Sequence, residues 1–379
     1  MNNPGAAADN PFELLARTRT VLLDALEALV EHRDVVIVVG AQAVYLHTGG
    51  VEVAIAEATK DSDVAVDTRD LGGDPTINEA MEKANFVLNP TSGQPGAWLS
   101  PDGIPVDIMV PETIAGGGKN RRSVHQPPHH KMAMRRARGL EAAIVDNSEI
   151  VVRPLTEDDG RAISAKVAGP AALIVAKCHK IHERIDDPNP DRLKDKDAHD
   201  IYRILRAFEP EDLAPAFSRL LAEEVSAQVT DEAVDILQNL FAAGPDAIGS
   251  AMAGRAEEEV GDPAEVSASL AFLAEELVEA IRSTALSEAC GSIRPMTSGH
   301  QQRLTTIRDA IEGKLRRGGA WDDLAYAVAP GAPANQTLDP VQVAALDADL
   351  ALVQEALDGK GLSDEKLSQL NRHIDTGSP

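Results

Sequence analysis

The chain has 379 residues, 43% hydrophobic but only 3% aromatic, so two or three domains with cores packed by Ala, Leu and Val are expected. Its formal net charge of -25 excludes sequence-blind coating of nucleic acid, which relies on excess Lys and Arg, but allows a local basic patch. The two cysteines, Cys178 and Cys290, are too few for a disulfide framework or a Cys-based zinc site; no apolar run reaches membrane-spanning length, and MNNPGAAADN lacks a signal-peptide core, so the expectation is a cytoplasmic protein that does not enter a membrane.

Residues 1–9 read as disordered. Asn10-Pro11 supplies a cap and a first-turn proline for an amphipathic helix over Phe12–His32, with Leu15, Leu22, Leu26 and Leu29 near one stripe. Val35–Val39 reads as a buried strand that stops at Gly40, and Ala41–Thr48 as a short helix. A second strand, Asp61–Asp67, begins with two carboxylates. Asp61 and Asp63 are two residues apart, so along a strand they point the same way. Carboxylates converging on one point repel each other unless a cation lies between them, and oxygen-only ligation suits Mg²⁺.

Pro75–Ala84 reads as a helix, Phe86–Leu88 and Ala97–Leu99 as short strands, and Pro101-Asp102-Gly103 as a turn. In Ile104–Val110 the residues Ile104, Val106, Ile108 and Val110 face one way, and Asp107 faces the other with Met109. Asp107 is either a third acid of the site or a solvated edge-strand residue. Gly116–Arg138 reads as a glycine-led loop that carries Lys119, Arg121, Arg122, Lys131, Arg135, Arg136 and Arg138 and no acid. Such an island binds a triphosphate or an RNA backbone, or else pairs with the protein's own acids. His125 and His129 lie within it, but Pro127-Pro128 breaks any helix that would align them on a metal.

Glu149–Pro154 reads as a strand. Gly169-Pro170 opens a helix on which Leu173, Lys177, Lys180, Ile181 and Arg184 lie close together. After the break at Pro188-Asn189-Pro190, a second helix places Asp197 and Asp200 one turn apart, with Ile201, Ile204, Leu205 and Phe208 on its apolar side. Beyond Glu209 the pattern is helical and acidic: Leu220–Val225, Glu232–Ala242 and Pro263–Arg282 read as helices, and Ala247–Gly254 has the small residues of a tight helix contact. Linkers over 290–300 and 330–340 separate two further helices, 301–317 and 341–358. The expected division is 10–208, 209–290 and 291–379.

Gly40-Ala41 at a helix start, Asp61-Ser62-Asp63 on the next strand and Asp107 on a later one resemble the nucleotidyltransferase superfamily that includes DNA polymerase β. Ala41 stands where that pattern carries Gly or Ser. Leu173, Lys177, Arg184, Lys196, Asp197, Asp200 and Ile201 resemble the AbiEii/MenT group of nucleotidyltransferases, toxins of type IV toxin–antitoxin systems. The resemblance covers roughly residues 35–208. It implies an α+β fold, a polymerase β-like nucleotidyltransferase mixed-sheet core with flanking helices, followed by an α-helical C-terminal region.

The same resemblance implies an NTP-dependent enzyme with Mg²⁺ held by Asp61, Asp63 and Asp107. Gly40, Ala41, Lys60, Lys177 and Asp200 would be nucleotide-binding, and Lys177 would touch the phosphates with Asp197 or Asp200 orienting it. Asp107 would take the proton of the acceptor hydroxyl. RNA, tRNA in particular, would be the acceptor and a cognate antitoxin a partner. Transfer to a small molecule such as an aminoglycoside, transfer to a protein hydroxyl, and a non-catalytic binding module on the same fold remain as alternatives.

Overall fold

The computed structural model describes residues 11–49, 60–116, 122–156, 158–258 and 260–290. In chain order these form α1 (Pro11–Ala28), a 3-10 turn (Val30–His32), β1 (Val36–Val39), α2 (Gly40–Thr48), β2 (Ser62–Val66) and α3 (Ile77–Lys83). Then come β3 (Val87–Leu88), β4 (Ala97–Leu99), β5 (Pro105–Pro111), β6 (Arg135–Ala137), α4 (Glu141–Val145), β7 (Asn147–Val152) and β8 (Ile163–Ala168). Helices follow: α5 (Pro170–Ile185), α6 (Asp195–Ala207), α7 (Pro210–Ala222), α8 (Ala227–Leu240), α9 (Ile248–Ala256) and α10 (Pro263–Cys290). The protein is α+β, with a mixed sheet followed by a helical region. The described elements up to Arg282 belong to one compact unit.

The sheet runs β3-β4-β5-β2-β1-β8-β7, with β6 also beside β5. β1 pairs antiparallel with β2, and parallel with β8 on its other side. β2 pairs parallel with β5. β4 and β6 share the remaining edge of β5: β4 pairs with Pro105–Asp107 and β6 with Met109–Pro111. Gly96 marks the junction. A Cβ there would overlap the Ile108 carbonyl and press on Arg135, and its φ of +73° is one that side chains resist.

All four residues of β1 are buried, as a strand covered on both faces requires. Leu22, Leu23 and Leu29 bring α1 and the turn after it into the same core. Trp98 is wholly buried and donates its indole N–H to the Ala133 carbonyl at 2.9 Å, tying β4 to the start of β6. Each large apolar side chain so buried contributes about 1.5–3 kcal/mol.

Several elements depart from the sequence reading; the helix expected over Leu220–Val225 is instead the end of α7 and the turn after it, because the chain already turns helical at Pro210. β8 lies inside the sheet, yet its residues ISAKVA include weak strand formers; pairing on both edges holds it, not propensity. β6 emerges from the basic run that read as loop. The helix expected from Pro75 starts at Ile77, because Thr76 and Glu79 form a capping box there. The stretch expected to open a separate domain at 209 packs directly on what precedes it, α8 against α5 and α9 against α6. Gly249 lies against the Phe241 ring and Gly254 against Pro263 and Ser267, the tight contact its small residues suggest.

The expected disorder of residues 1–9, Lys119 and Arg121 of the basic run, and everything expected of 291–379 lie outside the described residues. No described helix is long and apolar enough to cross a membrane.

Candidate active site

The carboxylates come together through strand register. Asp63 stands opposite Val39 on antiparallel β1 and opposite Asp107 on parallel β5. Asp61 immediately precedes β2, which begins at Ser62 and not at the first acid as expected. Next to this ladder, Gly40 takes a φ of +69° and starts α2. A Cβ at Gly40 would overlap the Asp63 carboxylate, so this glycine is what lets the helix begin against the acids.

Asp61, Asp63 and Asp107 line one cavity of about 310 Å³, together with Gly40. Helix α5 lines it with Leu173, Ala176, Lys177, Lys180 and Arg184, and the basic run adds Arg122, Arg135, Arg136 and Arg138. In all, eight basic and five acidic side chains face this cavity, in a chain whose net charge is -25. Most of these cations are already ion-paired, among them Arg135, Arg138, Lys177, Lys180, Arg184 and Arg192.

Asp63 is the electrostatically exposed member. Burial pushes its carboxyl up to about 7, helped by the charges of Asp61 and then Asp107, while Lys180 and Arg135 pull the other way. Arg135 Nη2 donates to Asp107 Oδ2 at 2.8 Å. Among the described residues, no three His, Cys, Asp or Glu side chains converge closely enough to hold a metal ion together. The donor chemistry nonetheless suits Mg²⁺: oxygen only, and short of positive charge at Asp63.

A second ionic group joins the α5 side of the cavity to α6. Lys177 is buried, and its ammonium donates to Asp197 Oδ1 at 2.7 Å and to Asp200 Oδ2. Lys180 reaches the same Asp197 oxygen at 2.8 Å, and Arg184 reaches its other oxygen at 3.4 Å. Burial alone would push the Lys177 ammonium down, but Asp197 and Asp200 outweigh it and hold it well above the usual lysine range. Burial likewise opposes the Asp197 charge, and Lys177 and Lys180 outweigh that, holding its carboxyl far below the ordinary range. Asp146 fixes the start of α5 by accepting the Ala172 N–H at 3.0 Å, in space that Gly169 leaves open.

No family model and no curated relative matches the sequence. Among solved structures, the crystal structure of JHP933 from Helicobacter pylori is similar at 11% identity and a TM-score of 0.33, over 75% of this chain and 99% of that one. A likeness at that level does not establish a shared fold.

The expected site residues divide into three groups. Asp61, Asp63, Asp107, Gly40 and Lys177 meet in the cavity. Asp197 and Asp200 stand one layer back, on Lys177. Ala41 is buried in the first turn of α2, and Lys60 is an exposed residue before β2; neither lines the cavity. Lys177 is so enclosed that the more accessible cations of α5 are Lys180 and Arg184, whose side chains are 34% and 24% exposed against 5% for Lys177. The signal for Lys180 was present in its spacing of three residues from Lys177. Nothing local announced that Arg135 would meet Asp107, since that pairing needs β6 beside β5.

The basic run is largely spent inside the protein. Arg138 pairs with Glu232 at 2.6 Å and with Glu112 at 3.1 Å, and Arg136 donates to the carbonyls of Ser123, Ala115 and Gly116. His129 accepts the Ile77 N–H on Nδ1 at 3.0 Å, at the start of α3, while His125 is exposed.

Proposed function

We propose that this chain is a Mg²⁺-dependent nucleotidyltransferase, moving an NMP from an NTP to an acceptor hydroxyl. The observation that carries this reading is the register of Asp63 beside Asp107, with Asp61 near, in the same cavity as Gly40 and the cations of α5. It supports a core of the polymerase β-like kind, as the resemblance of the same residues implies.

Asp61, Asp63 and Asp107 would hold the metal. When bound, Mg²⁺ supplies charge neutralisation at the reacting phosphates and a more acidic acceptor hydroxyl. Asp107 is placed to receive the acceptor's proton once its oxygens are released from Arg135. Gly40 lets the positive end of α2 approach a phosphate without a side chain intervening. Lys180 and Arg184 stabilise the negative charge of the leaving pyrophosphate, since both line the cavity and keep part of their surface free. Lys177 adds a fixed positive charge from behind, and Asp197 and Asp200 keep it in place.

The partly exposed cations Lys180 and Arg184 on the cavity wall favour a phosphate-bearing acceptor over a cationic one such as an aminoglycoside. An RNA-directed toxin, with tRNA as acceptor and an antitoxin as partner, follows from the resemblance and is part of this proposal. The test supplies purified protein with each labelled NTP, Mg²⁺ and total RNA, with an aminoglycoside in a parallel tube. Label transfer to RNA that is lost in Asp63→Asn is the expected result. Transfer to the aminoglycoside alone would replace the acceptor class. Binding of Mg²⁺ and NTP without transfer to any acceptor would make the chain a binding module.

A further inference from the structure

Arg135 is a cation that already neutralises one of the three aspartates of the cavity. Its Nη2 is 2.8 Å from Asp107 Oδ2, and each of the two side chains is only about a quarter exposed, at 25% and 24%. The backbone fixes this pairing. β6 runs parallel to β5 with Arg135 opposite Met109, and Met109 shares its strand face with Asp107 two residues back. Gly96 closes over the Arg135 backbone and the first part of its side chain; a Cβ at Gly96 would come within 3.0 Å of Arg135 Cγ. The stem is thus held, while the guanidinium end projects into the cavity.

From this we infer that Arg135 is a positioning residue that stands in for the metal: it holds Asp107 in the metal-free protein and yields it only when a phosphate offers the guanidinium another partner. The inference rests on the reading of this cavity as a metal and nucleotide site. A guanidinium and a divalent cation compete for the same carboxylate oxygens, and a fixed positive charge beside them lowers the affinity for free metal ion. Phosphate oxygens match the planar fork of an arginine at least as well as a carboxylate does. A triphosphate arriving with its own metal can therefore draw Arg135 away as it delivers the ion. Metal and triphosphate then bind with positive coupling, and the coupling is reciprocal. The protein would stay closed to stray divalent ions and assemble its acidic site only on a complete substrate.

The experiment titrates full-length, metal-free protein with Mn²⁺ alone, followed by electron paramagnetic resonance, and repeats the titration with inorganic tripolyphosphate present. Tripolyphosphate serves because the base preference is open. Wild type should bind Mn²⁺ weakly alone and about fivefold or more tightly with tripolyphosphate. Arg135→Gln should bind Mn²⁺ alone about fivefold or more tightly than wild type and lose most of the coupling. Arg135→Lys, which keeps the charge, should keep wild-type Mn²⁺ affinity, and this sets charge apart from mere disturbance of β6. If Mn²⁺ binding is abolished by Asp63→Asn but is no tighter in Arg135→Gln, the inference is overturned while the metal site stands. If no Mn²⁺ binding in wild type or in Arg135→Gln depends on Asp63, the inference and the reading beneath it both fall.

Discussion

The two acidic groups of this molecule are built from the same side chain and reach opposite states. Asp63 lies among carboxylates, and burial with Asp61 and Asp107 drives its carboxyl up to about 7. Asp197 is more deeply enclosed, yet Lys177 and Lys180 hold it far below the ordinary range. The difference is whether countercharge is built in. Around Asp197 it is, from three basic side chains on α5. Around Asp63 the neighbouring acids and burial outweigh the pull of Lys180 and Arg135, which costs stability and, on the proposed function, is where a ligand cation would act. One group is scaffold; the other is the site of the proposed function.

The largest way to break this comparison is to remove the scaffold acid. Asp197→Ala should cost about 3–5 kcal/mol in urea unfolding, because Lys177 would be left buried with one partner fewer. An unchanged midpoint would mean that the group contributes nothing to holding α5 and α6 together.

Asp63→Asn should do the reverse. It relieves repulsion among Asp61, Asp63 and Asp107, and should raise the stability of metal-free protein at pH 8 by on the order of 1–2 kcal/mol. The sign follows from linkage. A carboxyl raised in the fold is protonated in both states below its unfolded value of 3.8, and its contribution is lost as pH rises through about 7. The gain from Asp63→Asn should therefore grow between pH 4 and pH 7 and level off above it. Asp197 has the opposite sign: its depressed carboxyl contributes fully above 3.8 and loses that contribution as pH falls below it. Through these two groups wild type should be most stable near pH 4, weakening below it through Asp197 and between about pH 4 and 7 through Asp63. Thermal melts of wild type, Asp63→Asn and Asp197→Asn across this range separate the two.

The smallest effect concerns Lys180, which bonds to Asp197 and acts through its charge on Asp63. Lys180→Gln should weaken tripolyphosphate binding in Mg²⁺ about tenfold, the loss of one charge-assisted contact. Its stability cost should stay within about 1 kcal/mol, because its side chain is a third exposed and Asp197 keeps Lys177. A large stability loss with unchanged tripolyphosphate binding would place Lys180 wholly in the scaffold.

Local patterns carried much of this. Val36–Val39 with Gly40, the alternation around Asp107 and the spacing of Lys177, Asp197 and Asp200 along two helices were all legible, because periodicity and glycine conformation are properties of short segments. β8 was not, since Ile163–Ala168 is a strand only because β1 and β7 offer it two edges. Nor was the fate of the basic run, where Arg135, Arg136 and Arg138 find partners far away in sequence.

By itself, then, the sequence determined which side chains carry charge and which face of each element they occupy, because those follow from residue type and backbone period. Only the tertiary structure decided which charges are answered. It set Lys177 between two acids, put Arg135 on Asp107 and left Asp63 with its burial and acid neighbours outweighing the nearby cations, because compensation depends on distances across strands and helices that no local pattern encodes.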